Sequence, residues 1–152
     1  MFLEILTFCT VKPALNCLEM HPYFTQDESI KFYKQLKTPV AAYAPLAPNQ
    51  NLQATSLPES IKNLDLLNES LIKELGKKYH KTPAQIVINW HMHHEQIVFP
   101  GMRLREHFEE NCDVFNFEMS QDDLKKISGL NKNARFYDRI QDSNYNYIPI
   151  WQ

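Results

Sequence analysis

Three short apolar runs, separated by segments with helical signals, constrain the fold of this chain more than any other feature. Residues 14–20, 39–44 and 96–99 have the length and composition of buried β-strands. Strands that alternate with helices are joined by right-handed crossovers and form a parallel sheet. The sequence therefore predicts an α/β fold in which three parallel strands leave both edges of their sheet bare, as in one part of a larger barrel.

Helix-start signals predict where the flanking helices begin. Thr25-Gln26-Asp27-Glu28 and Thr82-Pro83-Ala84-Gln85 have the spacing of capping boxes, and Ser120 is placed to cap another helix. An apolar helical pattern over residues 2–8 has no N-cap before it, which is expected of a helix cut in its middle. Apolar residues spaced over 71–79 predict an amphipathic helix.

The remaining segments carry weaker signals. Leu104 and Phe108 are spaced to face a core from a helix over residues 104–112. Residues 48–62, rich in Asn, Gln, Ser and Pro, are expected to form a functional or mobile loop. The aromatic tail over 131–152 shows no clear periodicity. The chain has only three glycines, too few for a Gly-rich phosphate loop, so any nucleotide site must be of another kind.

Composition and charge exclude several classes of protein. The 152 residues are 43% hydrophobic and 22% charged, which is ordinary for a soluble globular domain. The net charge of -2 gives no bias toward polyanions, so no nucleic-acid or membrane partner is expected. No apolar run approaches the roughly 20 residues that cross a bilayer, and the first residues lack signal-peptide character. Cys9, Cys17 and Cys112 are an odd number without Cys-x-x-Cys spacing, which favours a reducing, cytoplasmic compartment.

Several ordered motifs give the chain a resemblance to a known family. Residues 12–23, KPALNCLEMHPY, match the pattern KPAxNQxExHPY of the sixth barrel strand in the aldo-keto reductases. Further motifs of that family are matched in order by AYAPL at 42–46, KTPAQIVINW at 81–90, EHFEEN at 106–111 and VFNFEMS at 114–120. The ending, ARF at 134–136 with IPIW at 148–151, is most similar to the xylose reductase branch.

The resemblance implies the C-terminal half of a (β/α)8 TIM-type barrel, with parallel strands and flanking helices. Residues 1–152 would be a partial aldo-keto reductase domain, from the end of the fifth helix through the C-terminal tail, with the N-terminal half absent. The family reduces aldehydes and ketones, including sugars, to alcohols with NAD(P)H, and a Tyr tuned by Lys, Asp and His protonates the carbonyl oxygen. These four residues lie in the family's first half. No catalytic residue is therefore assigned, and the chain alone is expected to be inactive.

What the resemblance carries over is part of the coenzyme site, for NADPH or NADH. Tyr43 matches the residue whose ring stacks on the nicotinamide, and Cys17 stands in place of a Gln that hydrogen-bonds the carboxamide. Gly101, Met102 and His107 replace a Lys, a Ser and an Arg that hold phosphates, a loss of the cationic donors that phosphate monoesters favour. The expected coenzyme contacts are Cys17, Tyr43, Ala44, Leu46, Pro100, Gly101, Met102, Arg103, His107, Glu110 and Asn111.

Simpler interpretations stay open for individual residues. Tyr43 could be a plain aromatic residue at the barrel end, and Cys17 is most simply a small buried apolar residue. His91 and His94, three residues apart, suggest a metal site, but no fourth ligand is indicated and surface histidines are favoured. Trp151 either lines the pocket for a small carbonyl substrate or packs outside the barrel.

For the whole chain, the alternative function is a non-catalytic binding or interaction module. Such a module would not need the lost phosphate ligands. Its simplest form is a dimer of half barrels that associate through their exposed strand edges.

Overall fold

The computed structural model describes residues 2–48 and 58–137, and strands and helices alternate in it as predicted. The strands are β1 (Asn16–Glu19), β2 (Val40–Tyr43) and β3 (Ile97–Phe99). The helices are α1 (Phe2–Phe8), α2 (Asp27–Gln35), α3 (Glu59–Lys62), α4 (Ser70–Tyr79), α5 (Pro83–His93), α6 (Arg105–Cys112) and α7 (Gln121–Ser128), with a 3-10 turn at Leu66–Asn68.

The three strands form one parallel sheet in the order β1-β2-β3, which confirms the predicted α/β class and partial barrel. The register places Cys17, Ala41 and Ile97 in one row across the strands. Among the described residues, β1 and β3 each have a strand neighbour on one side only. The sheet therefore has the two open edges that the sequence predicts.

Alternation along the strands gives the sheet two unlike faces. One face is covered by helices, and its cluster contains Leu18, Val40 and Ala42 together with Tyr33 of α2. We call the opposite side the inner face; it consists of Cys17, Glu19, Ala41, Tyr43, Ile97 and Phe99. Ile97 and Phe99 are 44% and 51% exposed there. Apolar side chains at such exposure indicate a surface that further residues would cover in a closed barrel.

The main core lies between α4, α5 and α7. Ile72 of α4, Ile86 and Trp90 of α5, and Ile127 of α7 are all buried in one cluster. The indole N–H of Trp90 donates to Ser128 Oγ at 3.0 Å, so the one polar atom of this ring is satisfied. These helices provide the rigid base on which the loops at the carboxyl ends of the strands rest.

One predicted capping box is confirmed and one is wrong. Thr82 accepts from the backbone N–H of Gln85, and the Gln85 side chain accepts from the Thr82 N–H, as the motif predicts. At α2 the N-cap is instead Gln26, with φ of 58°, and no side chain caps the helix. The Thr25 hydroxyl donates to the Asp27 carboxylate at 3.0 Å, which takes it away from the backbone it was expected to cap.

Two further expectations need correction. Leu104 and Phe108 do not face a core: they are 56% and 53% exposed, because α6 attaches to α5 through polar contacts near its C-terminal end. The predicted loop over residues 48–62 contains a helical turn, Glu59–Lys62, while residues 49–57 lie outside the described part. The predicted helices over 2–8 and 71–79 and the Ser120 cap are confirmed.

Candidate functional site

A cavity of about 600 Å³ opens at the carboxyl ends of β2 and β3. The chain leaves β2 at Tyr43 and β3 at Phe99, and the segments that follow these two residues form facing walls of the cavity. Helix α6 closes a third side. In parallel α/β folds and barrels, ligands bind at this end of the strands, because the loops there converge while the sheet stays fixed.

The structure brings eight of the predicted coenzyme contacts to this cavity. They are Tyr43, Ala44, Leu46, Gly101, Arg103, His107, Glu110 and Asn111. The lining also contains residues that the sequence did not indicate: Pro45, Ala47, Pro48, Asp65, Leu67, Ala84, Phe99 and Tyr137. Among these, Tyr137 carried a visible signal, since it belongs to the aromatic tail. Asp65 and Leu67 carried none, because they reach the cavity only through the tertiary fold.

Four predicted residues are not among the described residues that line the cavity. Cys17, Pro100 and Met102 do not line it, and Trp151 lies outside the described residues. Cys17 is exposed on the inner face, so its interpretation as a buried apolar residue is wrong. Met102 is 48% exposed. Because Cys17, Pro100 and Met102 do not line the cavity, their positions do not support a coenzyme role, and that role stays a prediction.

Two aromatic rings form one end of the cavity. The ring of Tyr43 at the end of β2 meets the ring of Tyr137 edge to face, with centroids 6.1 Å apart. Burial raises the pKa of the Tyr137 phenol, with a smaller contribution from the carboxylate of Glu19. Tyr137 is therefore a neutral side chain at physiological pH. The two rings are inclined at 71°, so a planar heterocycle can stack on the face of one ring with the other ring beside it.

The start of α6 forms the polar end of the cavity. Leu104 is its N-cap and gives no side-chain hydrogen bond, so no side chain caps the first backbone N–H groups of this helix. Arg103 and His107 add side-chain donors on the same side. Helix N-termini with basic residues attract anions, above all phosphates. Asp65 and Glu110 also line the cavity, so its lining has two carboxylates and one guanidinium, that of Arg103.

The α5 cap holds α6 in place through a set of polar contacts. Glu110 accepts a hydrogen bond from the Thr82 hydroxyl. The buried Gln85 amide donates to the carbonyl oxygens of Glu110 and Asp113, each at 3.1 Å. Lys81 pairs with the Asp113 carboxylate at 2.8 Å and lowers the pKa of that group. Thr82 and Gln85 thus both cap their own helix and fix the wall of the cavity.

The loop after β2 is held in an unusual backbone conformation. Ala44 and Ala47 have φ values of 49° and 54°, a region that side-chain-bearing residues seldom occupy, and such conformations cluster at functional sites. His91 supports this loop from below, with Nε2 3.2 Å from the Pro45 carbonyl and Nδ1 2.6 Å from Gln96 Oε1. The prediction that His91 lies on the surface is wrong, because it is fully buried.

Burial lowers the pKa of His91 to about 4, so this imidazole is neutral at physiological pH. A neutral ring can support the loop without placing a charge beneath the cavity. Within residues 2–48 and 58–137, no group of three or more His, Cys, Asp or Glu side chains is arranged to hold a metal ion. Nor is any helix in those ranges long and apolar enough to span a membrane.

Parallel strands, crossover helices and a ligand-sized cavity at the strand ends define the class of this protein as a segment of an α/β barrel. The model of the aldo/keto reductase family matches residues 4–132. Aldo-keto reductase family 1 member D1 of Oryctolagus cuniculus is 39% identical over 141 residues, which cover 91% of this chain and 41% of that protein. The chain therefore belongs to the aldo/keto reductase family, and the resemblance seen in its motifs is confirmed.

Other relatives extend the comparison to the tail and to solved structures. The NAD(P)H-dependent D-xylose reductase xyl1 of Aspergillus niger is 27% identical over 150 residues, and the match covers 98% of this chain and 46% of that protein. A crystal structure of a Gox0644 mutant in complex with NADPH has a TM-score of 0.75 and 26% identity, over 93% of this chain and 47% of the other. The aldose reductase of Schistosoma japonicum has a TM-score of 0.76 and 26% identity, over 92% and 41%. The chain spans about half the length of the curated relatives it matches.

Proposed function

We propose that this chain forms the coenzyme-binding part of an NAD(P)H-dependent aldo-keto reductase that reduces aldehydes or ketones to alcohols. The observation that carries the proposal is the cavity that joins the aromatic ring of Tyr43, in edge-to-face contact with Tyr137, to the start of α6, which no N-cap side chain caps. A dinucleotide has this same polarity, with a planar ring at one end and phosphates further along.

The residue types that line the cavity match the chemical groups of a dinucleotide. Tyr43 would stack on the nicotinamide, the start of α6 with Arg103 would meet phosphate oxygens, and Glu110 with Asn111 would contact the adenine. The cavity's two carboxylates and its lack of a lysine leave a 2′-phosphate with weak support. We therefore expect the affinity for NADH to approach that for NADPH.

Bound coenzyme would supply the hydride for reduction of the carbonyl carbon. This chain's own residues would bind and orient it: Tyr43 would shield one nicotinamide face, and α6 would fix the phosphates. The Tyr, Lys, Asp and His that deliver the proton in the family have no counterpart among the motifs of this chain. We propose that the chain alone binds coenzyme without reducing aldehydes. The free cysteines of the described residues support a reducing compartment, the cytoplasm.

Coenzyme binding is tested by titrating NADPH and NADH into the protein and following the coenzyme fluorescence. Tyr43→Ala should weaken binding about fivefold or more, because a stacked aromatic contact contributes about 1 kcal/mol beyond its buried area. Tyr43→Phe should retain affinity, since it keeps the ring. Phe115→Ala removes an exposed aromatic side chain that does not line the cavity, and it serves as the control. Equal affinity in the Tyr43→Ala variant and the wild type would contradict the stacking role.

Activity is tested separately, by following NADPH oxidation with glyceraldehyde or xylose as substrate. We expect no turnover above the buffer rate. Turnover would show that this chain contains its own proton donor and would refute that part of the proposal.

Self-association is a second candidate function, favoured by the open sheet edges and the exposed Ile97 and Phe99 on the inner face. A second copy of the chain could cover both the open edges and the exposed inner face. Light scattering over a range of concentrations distinguishes the possibilities: a discrete dimer supports the candidate, whereas a monomer contradicts it.

A further inference from the structure

We infer that Glu19 is a positioning residue of the coenzyme cavity: its carboxylate binds the backbone of the C-terminal segment and thereby sets the ring of Tyr137 against Tyr43. The inference rests on the proposed function and adds to it a residue that does not itself line the cavity. Glu19 is the last residue of β1 on the inner face, and it is only 3% exposed.

Both oxygens of the Glu19 carboxylate bind the segment that contains Tyr137. Oε1 accepts from the backbone N–H of Phe136 at 2.6 Å, and Oε2 accepts from the N–H of Tyr137 at 3.1 Å. His21, fully buried, lies with Nε2 3.2 Å from Oε1. A buried carboxylate is costly unless its oxygens are hydrogen-bonded, and two of these three bonds come from the C-terminal segment. Loss of that segment would leave the carboxylate poorly satisfied.

The same segment is fixed at a second point upstream. The backbone N–H groups of Lys132 and Ala134 both donate to the Tyr23 carbonyl at 3.0 Å. The ring of Phe136 packs on His21, with centroids 5.2 Å apart. Residues 132–137 are thus tied at regular intervals to the end of β1 and the turn that follows it. Within the part of the chain that the structure describes, the contact with Glu19 is the one made by the backbone of Tyr137 itself.

The position of Glu19 in the sheet explains why that contact affects the cavity. The register pairs Glu19 with Tyr43 on the adjacent strand, so the two residues are neighbours in one row of the inner face. Glu19 binds the Tyr137 backbone, and Tyr43 meets the Tyr137 ring. One residue pair of the sheet therefore holds both parts of Tyr137. A change at Glu19 would move one of the two aromatic rings offered to the coenzyme.

The test combines amide hydrogen exchange, read residue by residue by NMR, with NADPH titration of the full chain. Glu19→Gln keeps the size of the side chain but replaces one acceptor oxygen by an NH2 group, which cannot accept. We expect exchange at Phe136 and Tyr137 to accelerate about tenfold or more, and the Kd for NADPH to rise about tenfold, as expected for loss of a hydrogen bond to a charged group. Glu74→Gln, the same change on the exposed face of α4, should alter neither quantity.

A second variant separates positioning from simple stabilisation. Tyr137→Ala removes the ring but leaves the backbone contact, so it should weaken NADPH binding while exchange at Phe136 stays slow. The double variant, Glu19→Gln with Tyr137→Ala, should bind no more weakly than Tyr137→Ala alone, because both changes remove the same ring from the cavity. Additive effects would overturn the inference, since Glu19 would then act by another route.

Other outcomes are equally decisive. Faster exchange in Glu19→Gln with an unchanged Kd would overturn the inference while leaving the proposed function intact. Failure of the wild type to bind either coenzyme would refute the proposed function, and the positioning role with it. If Glu19→Gln does not fold, the wild type and Tyr137→Ala decide: NADPH must slow exchange at Tyr137 in the wild type, and Tyr137→Ala must weaken binding. If either effect is absent, the inference fails.

Discussion

Replacement of Asp123 by Asn should destabilise the protein by about 2 kcal/mol at pH 7. The Asp123 carboxylate is buried at the start of α7, where it accepts hydrogen bonds from Lys78, from the Tyr79 hydroxyl at 2.6 Å and from Lys126 at 3.0 Å. Asparagine turns one of the two oxygens into a donor, so a buried bond between α4 and α7 is lost. A buried polar group left without its partner costs about 1–3 kcal/mol. Solvent screening reduces the contribution of the two lysines, because both are more than half exposed.

The destabilisation should depend on pH in a defined direction. The ammonium group of Lys78, followed by the Tyr79 hydroxyl, holds the pKa of Asp123 well below its ordinary value of 3.8. Stability from this depressed pKa is fully present above pH 4 and is lost as the pH falls toward the lower pKa of the folded state. The difference between wild type and Asp123→Asn should therefore be constant from pH 5 to 7 and shrink below pH 4.

Urea denaturation followed by circular dichroism measures both quantities. Asp122→Asn is the matched control, since Asp122 is the exposed neighbour in the same helix turn, and its loss should cost less than about 1 kcal/mol. Equal losses for the two variants would refute the reasoning, because burial and hydrogen bonding of Asp123 would then have no effect. A difference that stays the same at pH 3 and pH 7 would refute the assigned charge state.

Two further predictions concern Gly76 and His91. Gly76→Ala should lower the melting temperature, because the added methyl group would lie 2.8 Å from the Lys81 carbonyl oxygen, and overpacking costs about 1–3 kcal/mol against a helix-propensity gain of about 1 kcal/mol. Gly101→Ala is the control: no atom lies within 4 Å of the added methyl group, so the melting temperature should not change. If Gly76→Ala leaves the melting temperature unchanged or raises it, the close approach to the Lys81 carbonyl is contradicted. Since burial lowers the pKa of His91 from 6.5 to about 4, the unfolded chain binds a proton between these values that the folded chain does not, and stability should fall as the pH drops from 6.5 to 4. His91→Gln should flatten this part of the stability curve measured by urea denaturation, the exposed His93→Gln should not, and an identical slope in both variants would disprove the assignment.

The elements of this fold were predictable because their signals are local. The short apolar runs that became β1 and β2, and the Thr82-to-Gln85 box at α5, depend on neighbours a few positions apart. The parallel order followed from the alternation of strands with helices. The same local logic failed at Thr25, where a hydroxyl and a carboxylate two residues apart bind each other instead of the helix backbone.

The site was less predictable, because its less obvious residues are placed by contacts distant in sequence. Glu19 and Tyr137 are separated by 118 positions and His91 and Pro45 by 46, and no local pattern links either pair. Eight of the sixteen cavity residues were predicted instead from the resemblance to the family. That source has its own limit: Cys17, Pro100 and Met102 occupy motif positions yet do not line the cavity.

Helix α6 has no buried residue of its own, yet it forms the polar wall of the cavity. Its rigidity must come from elsewhere, and the buried amide of Gln85 is the main source, since it attaches the far end of α6 to α5, whose Trp90 and Ile86 are among the most deeply buried side chains. The order of this wall therefore depends on the packing of the interior, through the attachment of α6 to α5. Looser packing around Trp90, even if the strands stayed intact, would first become apparent as a less ordered polar wall of the cavity.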